Sequence, residues 1–136
     1  MTSAHPPGVQ VAALYEATAG WEWPIARLEE IHDGDTVRLR IDNGFGSRAV
    51  EWIRLVDVRA PELREEGGAQ ARADVAAWFA EHAPDGIVKV TTYRTSAPLE
   101  IRFRQSFTRY LGLITAPDGA ELNRYLIDKG YVDLGE

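Results

Sequence analysis

A chain of 136 residues is the length of a single domain and buries enough surface to hold a core without disulfides or a structural metal. Its 45% hydrophobic and 26% charged residues are an ordinary globular balance, no apolar run approaches the roughly 18 residues of a membrane span, and the absence of cysteine excludes disulfide frameworks, thiolate zinc sites and cysteine nucleophiles. The formal net charge of −6 argues against a polyanionic partner on its total, but residues 89–110 set Lys89, Arg94, Arg102, Arg104 and Arg109 against Glu100 alone, a local +4.

The first residues, Met1–Gly8, are a proline-containing arm with no basic cluster and no apolar block behind it, so no secretory leader is read there and a cytoplasmic location is expected. Val9–Tyr15 fits a short strand or a turn of helix and is broken at Thr18–Gly20. Residues 1–24 are therefore an arm or extra strand, and 25–136 the main domain. Trp21 and Trp23 alternate onto one face and suit core or edge packing.

From Ile25 to Ile31 the chain alternates, and it alternates again after the Asp33-Gly34 turn, with Val37, Leu39 and Ile41 on one side and Arg38 and Arg40 on the other. A hairpin signal, Asn43-Gly44 through Gly46, leads to a returning strand expected over 49–58 and stopped by Pro61. The three strands make a meander. The period then changes: Val75, Trp78, Phe79 and His82 recur at helical spacing within 69–82, closed by Pro84 and Gly86. Two more strands, 87–94 and 109–114, are joined by the basic stretch. After the Pro117-Asp118-Gly119 turn a last helix carries Leu122, Tyr125, Leu126 and Lys129 on one face and ends at Gly130. The architecture expected is a small five-stranded barrel with at least two helices packed on it.

Two clusters stand out chemically. One is Asp33-Gly34-Asp35-Thr36, followed by Arg54-Leu55 and by Pro61-Glu62; the other runs from Gln105 to Arg109. Each alone is an ordinary turn or strand-stop feature. Taken in order and at this spacing, together with the later Gly119, Leu122, Asn123, Leu126 and Gly130, they resemble the staphylococcal nuclease-like (thermonuclease) family over residues 25–134. The Ile41–Gly46 hairpin also looks like phage-encoded members.

The resemblance implies a mainly β, α+β fold, an OB-type five-stranded β-barrel with two to three packed helices. It also implies a calcium-assisted phosphodiesterase acting on DNA and RNA and leaving a 3′-phosphate. Carried over position by position, Arg54, Glu62 and Arg109 fall on the family's catalytic arginine, glutamate and second arginine, and Asp35 on one of its two metal carboxylates. The chemistry is consistent: a carboxylate can orient a water or take its proton, and guanidinium groups grip phosphate oxygens bidentately at any working pH.

The chain departs from the family pattern at several points. Where the second metal carboxylate is expected, five residues after the catalytic arginine, stands Arg59. Three arrangements are open: Arg59 pairs with Asp35 in place of the cation, Asp57 supplies the missing oxygen, or Arg59 points outward and leaves a weak site on Asp35. The expectation is a Ca2+ site weakened relative to the family or lost. Before Arg109 the run is Gln105-Ser106-Phe107-Thr108, which keeps a ring at Phe107 for stacking but lacks the family's basic residue; Arg102 and Arg104 can compensate by tracking a phosphate backbone. The leading reading is a nuclease, with DNA and/or RNA as partner and no membrane. The alternative is a catalytically inactive barrel that binds nucleic acid or protein.

Overall fold

In the computed structural model, which describes residues 20–93 and 109–133, the period-two segments become five strands closed into one barrel. They are β1 (Gly20–Asp33), β2 (Thr36–Asp42), β3 (Arg48–Leu55), β4 (Ile87–Tyr93) and β5 (Arg109–Thr115). Two helices are described, α1 (Gly68–His82) between β3 and β4, and α2 (Leu122–Asp128) after β5. Around the barrel the order is β1-β2-β3-β5-β4, antiparallel throughout except for β3 and β5, which run parallel. This is the OB-type barrel with packed helices expected from the sequence.

β1 starts at Gly20, earlier than the alternation from Ile25 suggests, and takes in Trp21 and Trp23. It pairs with β4 through its first half and with β2 through its second, and register shifts at Trp23/Ala26, Leu28/Glu30 and Ile31/Asp33 bend it around the barrel. Pro24, which has no N–H to donate, sits inside the first of these shifts. Trp23 donates from Nε1 to Thr92 Oγ1 at 3.1 Å, whereas Trp21 is 43% exposed, so the two rings divide between packing and surface.

Alternation decides what is buried. Val37 and Leu39 of β2, Ile53 and Leu55 of β3, Val90 of β4 and Ile114 of β5 are inside. α1 adds Val75 and Trp78 to the same core, and α2 adds Leu122 and Leu126. α1 packs on β1 and α2, while α2 packs on β5. Its other expected contact residues divide: Tyr125 is half-buried, and Lys129 caps the end before Gly130, whose φ is +101°. His82, in the last turn of α1, binds Asp118 at 2.8 Å, and that bond holds the Asp118 carboxyl below its ordinary value.

The returning strand is shorter than the alternation implies. It stops at Leu55 instead of Val58, because Asp57 adopts φ 64° and turns the chain out of the ladder. A buried side chain, Asn123, stitches this turn to the barrel. Its Oδ1 accepts from Ile114 N–H at 3.1 Å, and its Nδ2 donates to Val56 O at 3.0 Å and to Gly112 O at 3.1 Å. Among the described residues no helix is long and apolar enough to cross a membrane.

Replacing Asn123 takes this partner from Ile114 N–H and Val56 O, while Gly112 O keeps the bond it accepts from Val56 N–H at 3.0 Å, and an orphaned buried group costs about 1–3 kcal/mol. Asn123→Ala is expected to lower unfolding free energy by about 3 kcal/mol in urea denaturation, with the m-value unchanged. A loss under about 1 kcal/mol would show that the clasp is dispensable.

Candidate active site

A cleft of about 670 Å³ opens where β1 turns into β2, beside the end of β3 and the segment leading to α1. Its walls bring together Asp33, Asp35, Arg54, Arg59, Glu62 and Asp133. Residues far apart in sequence thus share one polar hollow.

Asp35 is the buried member at the centre. Its Oδ1 accepts from Thr36 Oγ1–H at 2.9 Å, its Oδ2 accepts from Ala60 N–H at 3.1 Å, and Arg54 Nη2 stands 3.6 Å away. Leu55 N–H donates to the Asp35 carbonyl at 2.9 Å, so the turn is tied to the end of β3 through main chain as well. Register does the positioning: Thr36 lies opposite Arg54 in the β2–β3 ladder. Gly34 is required by space, since a Cβ there would stand 2.6 Å from the Cβ atoms of both Ala60 and Ala71.

Arg54 donates from Nη2 to Val58 O at 2.8 Å and lies 3.9 Å from Asp133 Oδ2. Its Nε is buried and has no hydrogen-bond partner among the described residues. That guanidinium is therefore held by two carboxylates and a carbonyl.

Glu62 lies in the connection to α1, with its side chain 66% exposed and 3.6 Å from Arg64 Nε. Its main chain is held more firmly: its N–H donates to Glu65 Oε1 at 2.7 Å, and its carbonyl accepts from Glu65 N–H at 2.8 Å. Gly68, the first residue of α1, makes this approach possible, because a Cβ there would meet the Glu62 carbonyl. The sequence reading did not single out Gly67-Gly68; two glycines directly before a helical period were the available signal.

Of the three arrangements left open, the pairing of Arg59 with Asp35 is not the one the structure has. Asp35 pairs with Arg54, and Arg59 is exposed on the cleft wall, with its N–H donating to Tyr131 O at 3.2 Å. Asp57 is buried in its left-handed turn and is not among the side chains that line the cleft. The carboxylate that does arrive is Asp133, from the far end of the chain. Its N–H donates to Asp57 O at 2.8 Å, Val132 bridges Val58, and the Tyr131 hydroxyl donates to Asp74 Oδ2 at 2.7 Å. Burial, helped by that bond to Asp74, pushes the Tyr131 hydroxyl up to about 12. No motif spacing pointed to Asp133.

His32 is an exposed strand residue that also borders the cleft. Arg109 opens β5 opposite Trp52 in the parallel ladder; its side chain, and Arg102, Arg104 and Phe107 entirely, lie outside the described residues.

The fit to a cation is poor. Calcium takes six to eight oxygens, yet among the described residues no group of three or more His, Asp or Glu side chains converges as a metal site. Both Asp35 oxygens already accept hydrogen bonds, and the wall carries the Arg54 and Arg59 guanidinium groups.

No protein-family model matches the chain. Two curated relatives, each named an uncharacterized endonuclease, one from Escherichia coli O157:H7 and one from Escherichia coli, are 27% identical to it over 116 residues. The match covers 81% of this chain and 64% of each relative, so the chain spans a little under two thirds of the curated relatives it matches.

Burial, reinforced by the neighbouring Asp35 carboxylate, holds the Asp33 carboxyl above its ordinary value of 3.8. A raised native value means that the folded chain keeps this proton more tightly than the unfolded chain does. The resulting penalty is absent below pH 3.8, builds as pH rises through the native value, and is complete at neutral pH. Asp33→Asn retains an oxygen to accept the Asp35 N–H and removes the charge. It is expected to raise the melting temperature at pH 7, with the difference closing in acid. A lower or unchanged melting temperature at pH 7 would contradict this account.

Proposed function

We propose that the chain is a nuclease of the staphylococcal nuclease-like kind, hydrolysing phosphodiester bonds of DNA and/or RNA. The observation that carries this reading is the cleft: the Arg54 guanidinium, held in place by Val58 O, Asp35 and Asp133, lines the same hollow as the exposed carboxylate of Glu62. The names of the two endonuclease relatives support it from an independent direction.

In this reading the non-bridging oxygens of a phosphodiester meet Arg54 and, following the family resemblance, Arg109. A water oxygen bonds to phosphorus while Glu62 takes its proton. The bond from phosphorus to the 5′ oxygen breaks, the leaving oxygen is protonated from solvent, and a 3′-phosphate and a 5′-hydroxyl result. Arg54 is held in place before the substrate arrives, so its charge is aimed at the developing negative oxygens with little reorganisation.

Asp35 is the residue that would hold the calcium the resemblance implies, where the ion would add positive charge beside the phosphate. The donor set is too small for a tight site, and no step above is routed through the ion. Arg59 on the cleft wall supports one alternative, a barrel that binds nucleic acid or a protein partner without cleaving it.

Arg54→Lys keeps the charge but loses the fork, and Glu62→Gln loses the proton acceptor. Each is expected to lower kcat/KM on labelled single-stranded DNA by about 10²–10³-fold, and Glu62→Gln, whose side chain is 66% exposed, is expected to keep the melting temperature of the parent. Full activity in both variants would remove the cleft from the reaction. No cleavage by the parent protein with calcium, magnesium or EDTA would overturn the nuclease reading and favour the binding module. In calorimetry, calcium is expected to show no saturation below about millimolar concentration, and a tight, saturable isotherm would overturn the weak-site assignment.

A further inference from the structure

Among the described residues the cleft is lined by the guanidinium groups of Arg54, Arg59 and Arg64. Two of them are committed. Arg54 stands 3.6 Å from Asp35 and 3.9 Å from Asp133, and Arg64 stands 3.6 Å from Glu62. Arg59 differs: it is exposed on the cleft wall, and among the described residues no carboxylate lies within ion-pair distance of it.

The main chain around Arg59 is fixed. Its N–H donates to Tyr131 O at 3.2 Å, Ala60 N–H donates to Asp35 Oδ2 at 3.1 Å, and Val58 bridges Val132. Pro61 follows directly and restricts Ala60. The side chain therefore starts from a rigid anchor, one residue from a bond to the buried carboxylate, and its head is free. A clamped backbone carrying a free guanidinium into a polar hollow adds little to folding, since even paired surface charges contribute little, and this one shares its hollow with the positive Arg54. The arrangement suits an anion from outside. A guanidinium presents a fork of N–H groups that matches two phosphate oxygens, and it keeps its charge at any working pH. The same residue accounts for the poor fit to calcium, because it brings positive charge where a dication needs oxygens, beside an Asp35 whose oxygens both accept hydrogen bonds already.

We infer that Arg59 is a phosphate-binding residue that supplies at the cleft the positive charge the family resemblance assigns to calcium, so that this chain engages a phosphodiester without a divalent cation. Two guanidinium groups then face the phosphate: Arg54, held before it arrives, and Arg59, which closes onto it. As negative charge grows on the non-bridging oxygens during attack by water, Arg59 bears the share a dication would. Bonds and protons are those of the hydrolysis above. Water oxygen bonds to phosphorus, the bond to the 5′ oxygen breaks, Glu62 takes the water's proton, and solvent protonates the leaving oxygen. Arg59 exchanges no proton. The catalytic part of the inference rests on the proposed nuclease reading, and the binding part does not.

Two measurements in EDTA test it. The first is fluorescence anisotropy with a labelled oligothymidylate of about a dozen nucleotides, using the Glu62→Gln protein so that the probe stays whole. Adding Arg59→Ala is expected to weaken binding about fivefold and to flatten the slope of log K against log salt by about 0.7, the loss of one phosphate contact. Millimolar calcium in place of EDTA is expected not to tighten binding. Arg124→Ala, a charge loss on α2 where Arg124 pairs with Asp128, is expected to leave affinity within about twofold. The second measurement is cleavage of labelled single-stranded DNA by the parent protein. Activity is expected to persist in EDTA, and Arg59→Ala is expected to lower kcat/KM there by about 10²-fold, with Arg59→Lys falling between. Melting temperatures identify any variant that fails to fold, and in that case Arg59→Lys against Arg59→Gln carries the comparison. Affinity and salt slope indifferent to Arg59→Ala, failure of the parent to bind the probe, or equal loss with the Arg124 variant would each overturn the inference. Cleavage that EDTA abolishes and calcium restores would overturn it too, while leaving the nuclease reading standing. Arg59-dependent binding in EDTA without cleavage under any condition would do the reverse, sinking the nuclease reading and keeping Arg59 as the phosphate contact.

Discussion

Asp35 accepts hydrogen bonds from its own turn and from the segment before Glu62, and it sets a negative charge beside Arg54. Those three contacts join the β1–β2 turn, the end of β3 and the approach to α1, the three pieces that wall the cleft. A buried carboxylate carries a large desolvation cost unless its lone pairs are filled, and here donors fill them on both oxygens. The same bonds that make the charge tolerable therefore fix the spacing of the site. Gly34 completes the arrangement by letting the turn lie directly against Ala60 and Ala71.

The barrel supplies the rigidity this needs. β1 bends through three register shifts to serve two neighbours, and the parallel pairing of β3 with β5 closes the ring. Asn123 then substitutes for the missing ladder where β3 leaves the sheet, bonding to Val56, Gly112 and Ile114. The C-terminal stretch acts on the other side, with Tyr131, Val132 and Asp133 all bonded to the segment running from Asp57 to Arg59. Arg54 is consequently gripped by groups that precede it and follow it in the chain.

Charge is distributed with the same economy. The chain is acidic overall, yet acidic groups at the cleft are engaged in holding guanidinium groups or in accepting main-chain N–H bonds. On the outer face of β2 and β3, Glu29 and Glu30 do likewise for Arg40 and Arg38. Over the short range set by ionic screening, the local arrangement of charge decides what approaches, and the formal total does not.

Local pattern was enough to read the strands around Val37–Ile41, the helix around Val75–His82, the Asp-Gly-Asp turn, and the family-like spacing of Asp35, Arg54 and Glu62, because period two, period 3.6 and turn chemistry are written in neighbouring residues. The early end of β3 was not readable, since a left-handed Asp57 is stabilised by contacts with residues more than seventy positions away. Nor was Asp133, which reaches Arg54 only once Val132 bridges Val58. The sidedness of Arg59 was equally hidden: whether it or Arg54 would claim Asp35 depended on which guanidinium the β2–β3 register set opposite Thr36. By itself, then, the sequence determined which segments alternate, where they turn and which chemistry-bearing residues recur at a family's spacing. Only the tertiary structure decided which of those residues meet, because closing a barrel brings together groups whose separation along the chain leaves no local trace.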